Sequence, residues 1–459
     1  MKKLIYVLII GIIAAFYIGC SDDDDSPTKP KPDTVLKVLV NGIFVTDTTE
    51  DTTAVSNSNV VVYEAETGQA VMRDLTNDDG VCYFKLDPGN YYLNVTAQGY
   101  YSSPAPNVTA VPFFVTAQDT SVQTRFLSVN EIADPGTITG SIDPAAANFL
   151  VVADNGTEAF STVSGHDGFF VLYNLPVDLT YSFSAYRSGY KVTSYAPETV
   201  ALSGADSTGN VTIMVDYFEG YTLTGKMDMR ATEDSSGVDV VLRDPRTKSV
   251  IPGLKTRTYI NPEAKAELGD YTLSGIPEGD FIAWASLEND GYVLDPDWLF
   301  QNPDGLNLSY PADSIKVLNF PCTGSIKIVS PTNPMDSIYA VEADSATPEF
   351  KWVVTSSCSS RKEWFLEVRD INGNIMWGGF NADGTVNHDF IGPGTADTLS
   401  VSYNFDGRGN ALVPGEIYQW RIWADGGTNQ DSFVQNLISA SEDLMGLFKV
   451  VLPPPEPVK

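Results

Sequence analysis

The stretch TNDDGVCYFKLDPGNYYLNVTAQGY, Thr76 to Tyr100, decides the fold. It recurs as SGHDGFFVLYNLPVDLTYSFSAYRSGY, Ser164 to Tyr190, and as AELGDYTLSGIPEGDFIAWASLENDGY, Ala266 to Tyr292. Gly80 to Pro88, Gly168 to Pro176 and Gly269 to Pro277 are each eight residues apart. Successive copies lie 88 and 101 residues apart, the size of a small β-sandwich rather than of a solenoid repeat. In each copy apolar residues fall at alternate positions: Cys82, Phe84, Leu86 then Tyr91, Leu93, Val95 in the first, and Tyr271, Leu273 then Phe281, Ala283, Ala285 in the third. A period of two puts such residues on one face of a strand pair. Asp87-Pro88-Gly89-Asn90 and Gly275-Ile276-Pro277-Glu278-Gly279 read as the turns between the strands, with Pro fixing φ and Gly supplying positive φ. Upstream, Asn77 to Gly80 and Gly165 to Gly168 read as tight turns closing a preceding hairpin.

This pattern, with its terminal Gly99-Tyr100, Gly189-Tyr190 and Gly291-Tyr292, resembles the carboxypeptidase regulatory-like domain, a seven-stranded transthyretin-like sandwich. The resemblance runs from Leu36 to about Phe320, three units. It implies an accessory module and no activity of its own. The expected fold class is all-β: tandem β-sandwiches, three transthyretin-like and one immunoglobulin or fibronectin III-like. At roughly 100–200 residues per domain, 459 residues hold three or four, each expected to bury its own core.

Ahead of the repeats, Met1-Lys2-Lys3 and the apolar run Leu4 to Ile18 form an export signal too short to span a bilayer comfortably. The ending Tyr17-Ile18-Gly19-Cys20 resembles a bacterial lipobox, although Tyr17 replaces the usual Leu. The resemblance implies lipidation of Cys20; an uncleaved anchor is the alternative. Asp22 to Asp25 resembles the acidic surface-export signal of Bacteroidetes lipoproteins, or is a solvated spacer facing the periplasm. Ser26 to Asp33 reads as a Pro-rich stalk. Tripeptides beginning at Asp33, Asp47, Asp51, Asp206, Asp313, Asp336, Asp344 and Asp397 resemble O-glycosylation acceptors of the same group. The expected place is thus the outer membrane, lipid-anchored, at the cell surface. The whole chain carries a net charge of −31, and loss of Lys2 and Lys3 takes it to −33. That argues against nucleic acid and bare anionic lipid as partners.

The expected organisation is a signal peptide at 1–19, a lipidated stalk at 20–33, sandwiches at 34–130, 136–217 and 220–320, a fibronectin-like unit at 322–452 and a tail at 453–459. The last sandwich resembles fibronectin III through TPEFKW (Thr347 to Trp352) and LVPGEIYQWRIWAD (Leu412 to Asp425). Tyr418, Trp420 and Ile422 alternate inward, with Gln419, Arg421 and Trp423 outward. An insertion, Asp295 to Leu308, carries Trp298 and Phe300 outside the repeat and serves either as a packed lid or as a contact surface.

Little in the chain speaks for catalysis. The two histidines, His166 and His388, fall in turns or polar loops, and neither H-x-x-E, H-E-x-x-H nor G-x-S-x-G occurs. No enzyme, cofactor or metal is expected, and Asn77-Asp78-Asp79 reads as an Asx turn rather than a Ca²⁺ loop. Cys82 occupies an inward position and reads as a buried thiol. Cys322 and Cys358 are candidates for a disulfide closing 36 residues, worth roughly 4 kcal/mol in the chain-entropy model. Five of seven Trp lie in the last unit; Trp352, Trp364 and Trp420 read as core. Trp377 and Trp423, with Trp298, are candidate exposed contacts for a glycan or partner. Two readings stand: a non-enzymatic lipid-anchored scaffold presenting the fibronectin-like unit to an unknown protein or glycan, and a glycan-binding lipoprotein of a polysaccharide-uptake system.

Overall fold

A computed structural model describes residues 34–451, apart from 46–49, 105–109, 111, 131–134, 205–206, 230–235, 261–268, 289, 313–314, 335–338, 354–362, 371–373, 382–384, 388–397 and 427–435. The candidate lipidation site Cys20, Cys358 and His388 lie outside the described residues. The fold is all-β, built as pairs of facing sheets.

In sandwich one, strand Val35–Val45 pairs antiparallel with Glu50–Ala54 and Val81–Lys85 and parallel with Thr120–Ser128. The facing sheet runs Ala70–Leu75, Asn59–Glu64, Gly89–Thr96, Phe113–Val115. Sandwiches two and three repeat the plan. The opening strands Gly136–Asp143 and Tyr221–Met229 each take one antiparallel neighbour, Phe169–Leu175 or Gly269–Ile276. Each also takes one parallel neighbour, Thr208–Tyr217 or Ile315–Gly324. Sandwich four packs a three-stranded sheet containing Glu349–Val353 against a six-stranded one centred on Glu363–Asp370 and Ile417–Asp425.

The repeated stretch is not a hairpin. Val81–Lys85 pairs with the opening strand of one sheet, whereas Gly89–Thr96 pairs with Asn59–Glu64 in the other. The Pro88 turn is therefore an arch between sheets, and the same holds for Phe169–Leu175 with Leu179–Tyr186 and for Gly269–Ile276 with Gly279–Leu287. The upstream turns also cross between sheets, since Ala70–Leu75 belongs to the sheet that Val81–Lys85 faces. Alternation survives because both sheets point at one core: Cys82, Phe84, Tyr91, Leu93 and Val95 are all buried. Two of the arches are closed by tyrosine hydroxyls, Tyr91 donating to Asp87 O at 2.9 Å and Tyr181 to Pro176 O at 2.7 Å. Asn77 forms the Asx turn, its Oδ1 accepting from the Asp79 and Val81 amides. Gly80, at φ +71°, is required there, because a Cβ would lie 2.5 Å from Val40 O.

Sandwiches one, two and four each keep a core of their own, and a further cluster crosses the unit boundaries. One buried cluster centred on sandwich three takes in Val61 and Ala70 of sandwich one and Leu150, Val152 and Val163 of sandwich two. Polar contacts follow the same seams. Asn174 of sandwich two donates to Ala97 O and Tyr100 O and accepts from the Gly99 amide. Lys255 of sandwich three meets Glu64 of sandwich one at 2.7 Å. Gly189 N–H donates to Gly275 O at 2.9 Å. The first three sandwiches thus pack each against the other two.

Candidate functional site

The junction of sandwiches three and four begins at the end of strand Tyr292–Leu294, where the insertion folds into the short helix Pro296–Gln301. Asp295 caps it, accepting from the Asp297 and Trp298 amides, and Pro296 occupies the first turn, where it forfeits no hydrogen bond. Trp298 packs edge-on against Phe320, at 5.6 Å, in the core of sandwich three. Phe300 meets Phe380 of sandwich four at 5.7 Å, and the Leu437 amide donates to Asp297 Oδ1 at 2.7 Å. The insertion therefore packs and makes contact at once, but its partner is the chain's own last domain.

Trp423 sits at this junction. Its ring stacks on Phe365 at 5.2 Å and 5°, Arg421 lies 5.0 Å from its centroid, and it is 8% exposed. Its strand phase is the expected one, outward from the core of sandwich four, but that face is covered by Val293 of sandwich three. The exposure expected for Trp423 is corrected accordingly. Trp377 is corrected too: it is 2% exposed inside sandwich four, with Nε1–H donating to Asp406 Oδ1 at 2.8 Å. Its strand Ile375–Gly378 borders Glu363–Asp370, and Phe350 and Tyr403 enclose the ring. Trp298 is half-buried. Trp352, Trp364 and Trp420 are fully buried, as their phase indicates.

Cys322 also needs correction. It lies in the last strand of sandwich three, where it pairs in register with Leu294 and Met229, and it carries a free thiol. That thiol is buried, donates to Asp228 O at 3.6 Å, and is pushed up to about 12 by burial. Its expected partner, Cys358, lies outside the described residues. Cys82 is likewise a buried free thiol, raised to about 12 by desolvation.

Where the turn Ala65-Glu66 of sandwich one meets sandwiches three and four, a cleft encloses about 110 Å³. Trp284, Tyr292, Leu299 and Trp423 line it, with Glu288, Arg421, Glu442 and Asp443 among its polar groups. Arg421 pairs with Asp443 at 2.7 Å, and Glu288 pairs with Arg257. Glu442 is 7% exposed; its Oε1 accepts from Ser325 Oγ at 3.1 Å, while its Oε2 is buried without a partner. Burial pushes its carboxyl up to about 7, Asp290 and Asp443 push the same way, and the bonds from Ser325 and the Gly291 backbone only partly oppose them. Sequence reading did not single out this cleft. The one available signal was Trp284, a large ring at an outward position between the inward Ala283 and Ala285. Nothing in Ser441-Glu442-Asp443 marks a buried acid.

Among the described residues no group of three or more His, Cys, Asp or Glu is placed to hold a metal ion, and no helix is long and apolar enough to cross a membrane. His166 is exposed in its turn.

No family model and no curated protein matches the chain. Among solved structures, it is similar to the Bacillus anthracis TIE protein at 13% identity, over 64% of this chain and 51% of that one, with a TM-score of 0.17. The chain thus spans about half the length of that protein. It is similar to a Streptococcal ancillary pilin at 11% identity, over 63% of this chain and 98% of that one, with a TM-score of 0.18. The shaft pilin SpaA from Lactobacillus rhamnosus GG aligns at 11% identity over 40% of this chain and 99% of its own, with a TM-score of 0.18. Likenesses this slight say nothing of what the chain does.

Proposed function

We propose that the chain is a non-enzymatic surface scaffold, tethered to the outer membrane through a lipidated Cys20, that holds its fourth sandwich out to a protein or glycan partner. The shared core supports this reading. A buried cluster drawing side chains from three sandwiches resists bending in a way that beads on a string do not. In the cleft Arg421 and Glu288 are engaged in ion pairs, and neither a histidine nor a cysteine is among its lining residues. The rings on which a glycan-binding reading leaned, Trp377 and Trp423, are buried, which removes their support for it.

Growth of the source cells with an alkyne fatty acid tests the tether. The chain should take up label, and Cys20→Ala should lose it and appear in the medium. An epitope in sandwich four should be open to antibody on intact cells. An unlabelled wild-type chain, or an epitope hidden until the outer membrane is permeabilised, would overturn the reading.

A further inference from the structure

The three repeated sandwiches share a sheet whose outer face can be compared row by row. In sandwich three that face carries Thr222, Thr224, Thr272 and the ion pair Lys226–Asp270, with Val317 the exposed apolar residue among its described side chains. In sandwich two it carries Phe169 and Val171, which are covered (Val171 is 1% exposed, and Arg73 of sandwich one lies 5.3 Å from the Phe169 centroid), and Met214 as a single exposed apolar residue among its described side chains. In sandwich one it is both apolar and open. Strand Val35–Val45 turns Lys37 and Leu39 outward, with Tyr83 and Val122 beside Lys37 and Phe126 two rows on. Tyr83, Val122 and Phe126 are 58%, 55% and 52% exposed.

Charge singles out the same face. From Val35 to Ile43, across the flanking strands, the described outward side chains include the cation Lys37 and no carboxylate, in a chain of net charge −31. Its five rows span roughly 27 Å by 10 Å. That is well under the roughly 800 Å² per partner that a stable protein complex buries. So small a face needs its occupant held nearby. Residues 1–33 precede this sandwich in the chain. Residues 20–33, fully stretched, reach at most about 50 Å.

We infer that this open face of sandwich one rests on a phospholipid bilayer. Tyr83, Val122 and Phe126 enter the headgroup layer, and Lys37 meets lipid phosphate. The inference rests on the tether proposed above. The overall negative charge opposes free approach to a membrane, so the contact forms only once the chain is held there.

The test tethers residues 21–459 through an N-terminal decahistidine to phosphatidylcholine vesicles containing a nickel-chelating lipid, so it does not depend on acylation. An environment-sensitive dye is placed at Thr124→Cys on this face or at Thr272→Cys on the matching face of sandwich three, both in a Cys358→Ser background. Tethering should shift the emission at 124 to the blue, reversibly with imidazole, and leave 272 unchanged. Tyr83→Asp with Phe126→Asp should abolish the shift; both side chains are exposed, and an unchanged melting temperature confirms the fold. No shift at 124, equal shifts at both sites, or persistence in the double variant overturns the inference. So does self-association in vesicle-free solution that the double variant removes, since a second copy would then be the occupant. Failure here leaves fatty-acid labelling of Cys20 untouched, so the two readings fall separately.

Discussion

The seams among the first three sandwiches and the seam between the third and fourth are built on different principles. The first set is an extension of ordinary core: valines and leucines from three units share one cluster, neutral amides such as Asn174 satisfy loop backbone across the gap, and the one ion pair named there, Lys255–Glu64, stays charged above about pH 4.5 because the Glu64 carboxyl is lowered. The second is an aromatic plug, Phe365 on Trp423 capped by Phe380, beside an acid whose one oxygen is unpartnered. Apolar burial is insensitive to pH, whereas a buried carboxyl is not. The lesson is that one chain holds its base as a fixed block and joins its last domain through a joint that responds to conditions.

The largest break in that contrast should come from Trp423→Ala. Removing a buried Trp costs about 3–5 kcal/mol. Because the ring faces outward from its own sandwich, the loss should appear as faster proteolysis at the junction, with the core of sandwich four still melting cooperatively. If sandwich four itself unfolds, the ring belongs to that core and the contrast is wrong.

Next comes pH. With a carboxyl raised from 4.5 to about 7, the third–fourth junction retains its full stability below pH 4.5 and loses it as pH rises through about 7. The loss approaches about 3 kcal/mol. Glu442→Gln should flatten that slope and make the junction tighter than wild type at pH 8, as read by melting or by hydrogen exchange in 437–440. A wild-type junction indifferent to pH between 5 and 8 sinks the distinction.

The smallest effect sharpens the other side. Asn174→Ala removes three hydrogen bonds to the loop 97–100, at a net cost of about 1–1.5 kcal/mol each before water replaces them. Since the loop is partly exposed, the observed loss should be about 2 kcal/mol and independent of pH. A strong pH dependence in this variant would mean that both seams titrate.

Much of the fold is legible in the sequence. Period-two patterning marked Cys82, Phe84, Leu93 and Val95 as core, and Trp352, Trp364 and Trp420 likewise. Asn77 announced its Asx turn because that chemistry is local. What sequence determined was which side chains leave water, since alternation is a property of the strand itself. Only the tertiary structure decided where hydrogen bonds go and what covers an outward face. A hairpin and an arch show the same alternation, because two facing sheets and one strand pair both aim alternate residues at a common interior. Trp423 and Trp284 point away from their own sheets whether or not a neighbour arrives, so their fates were settled by the packing of distant segments, which no local pattern encodes.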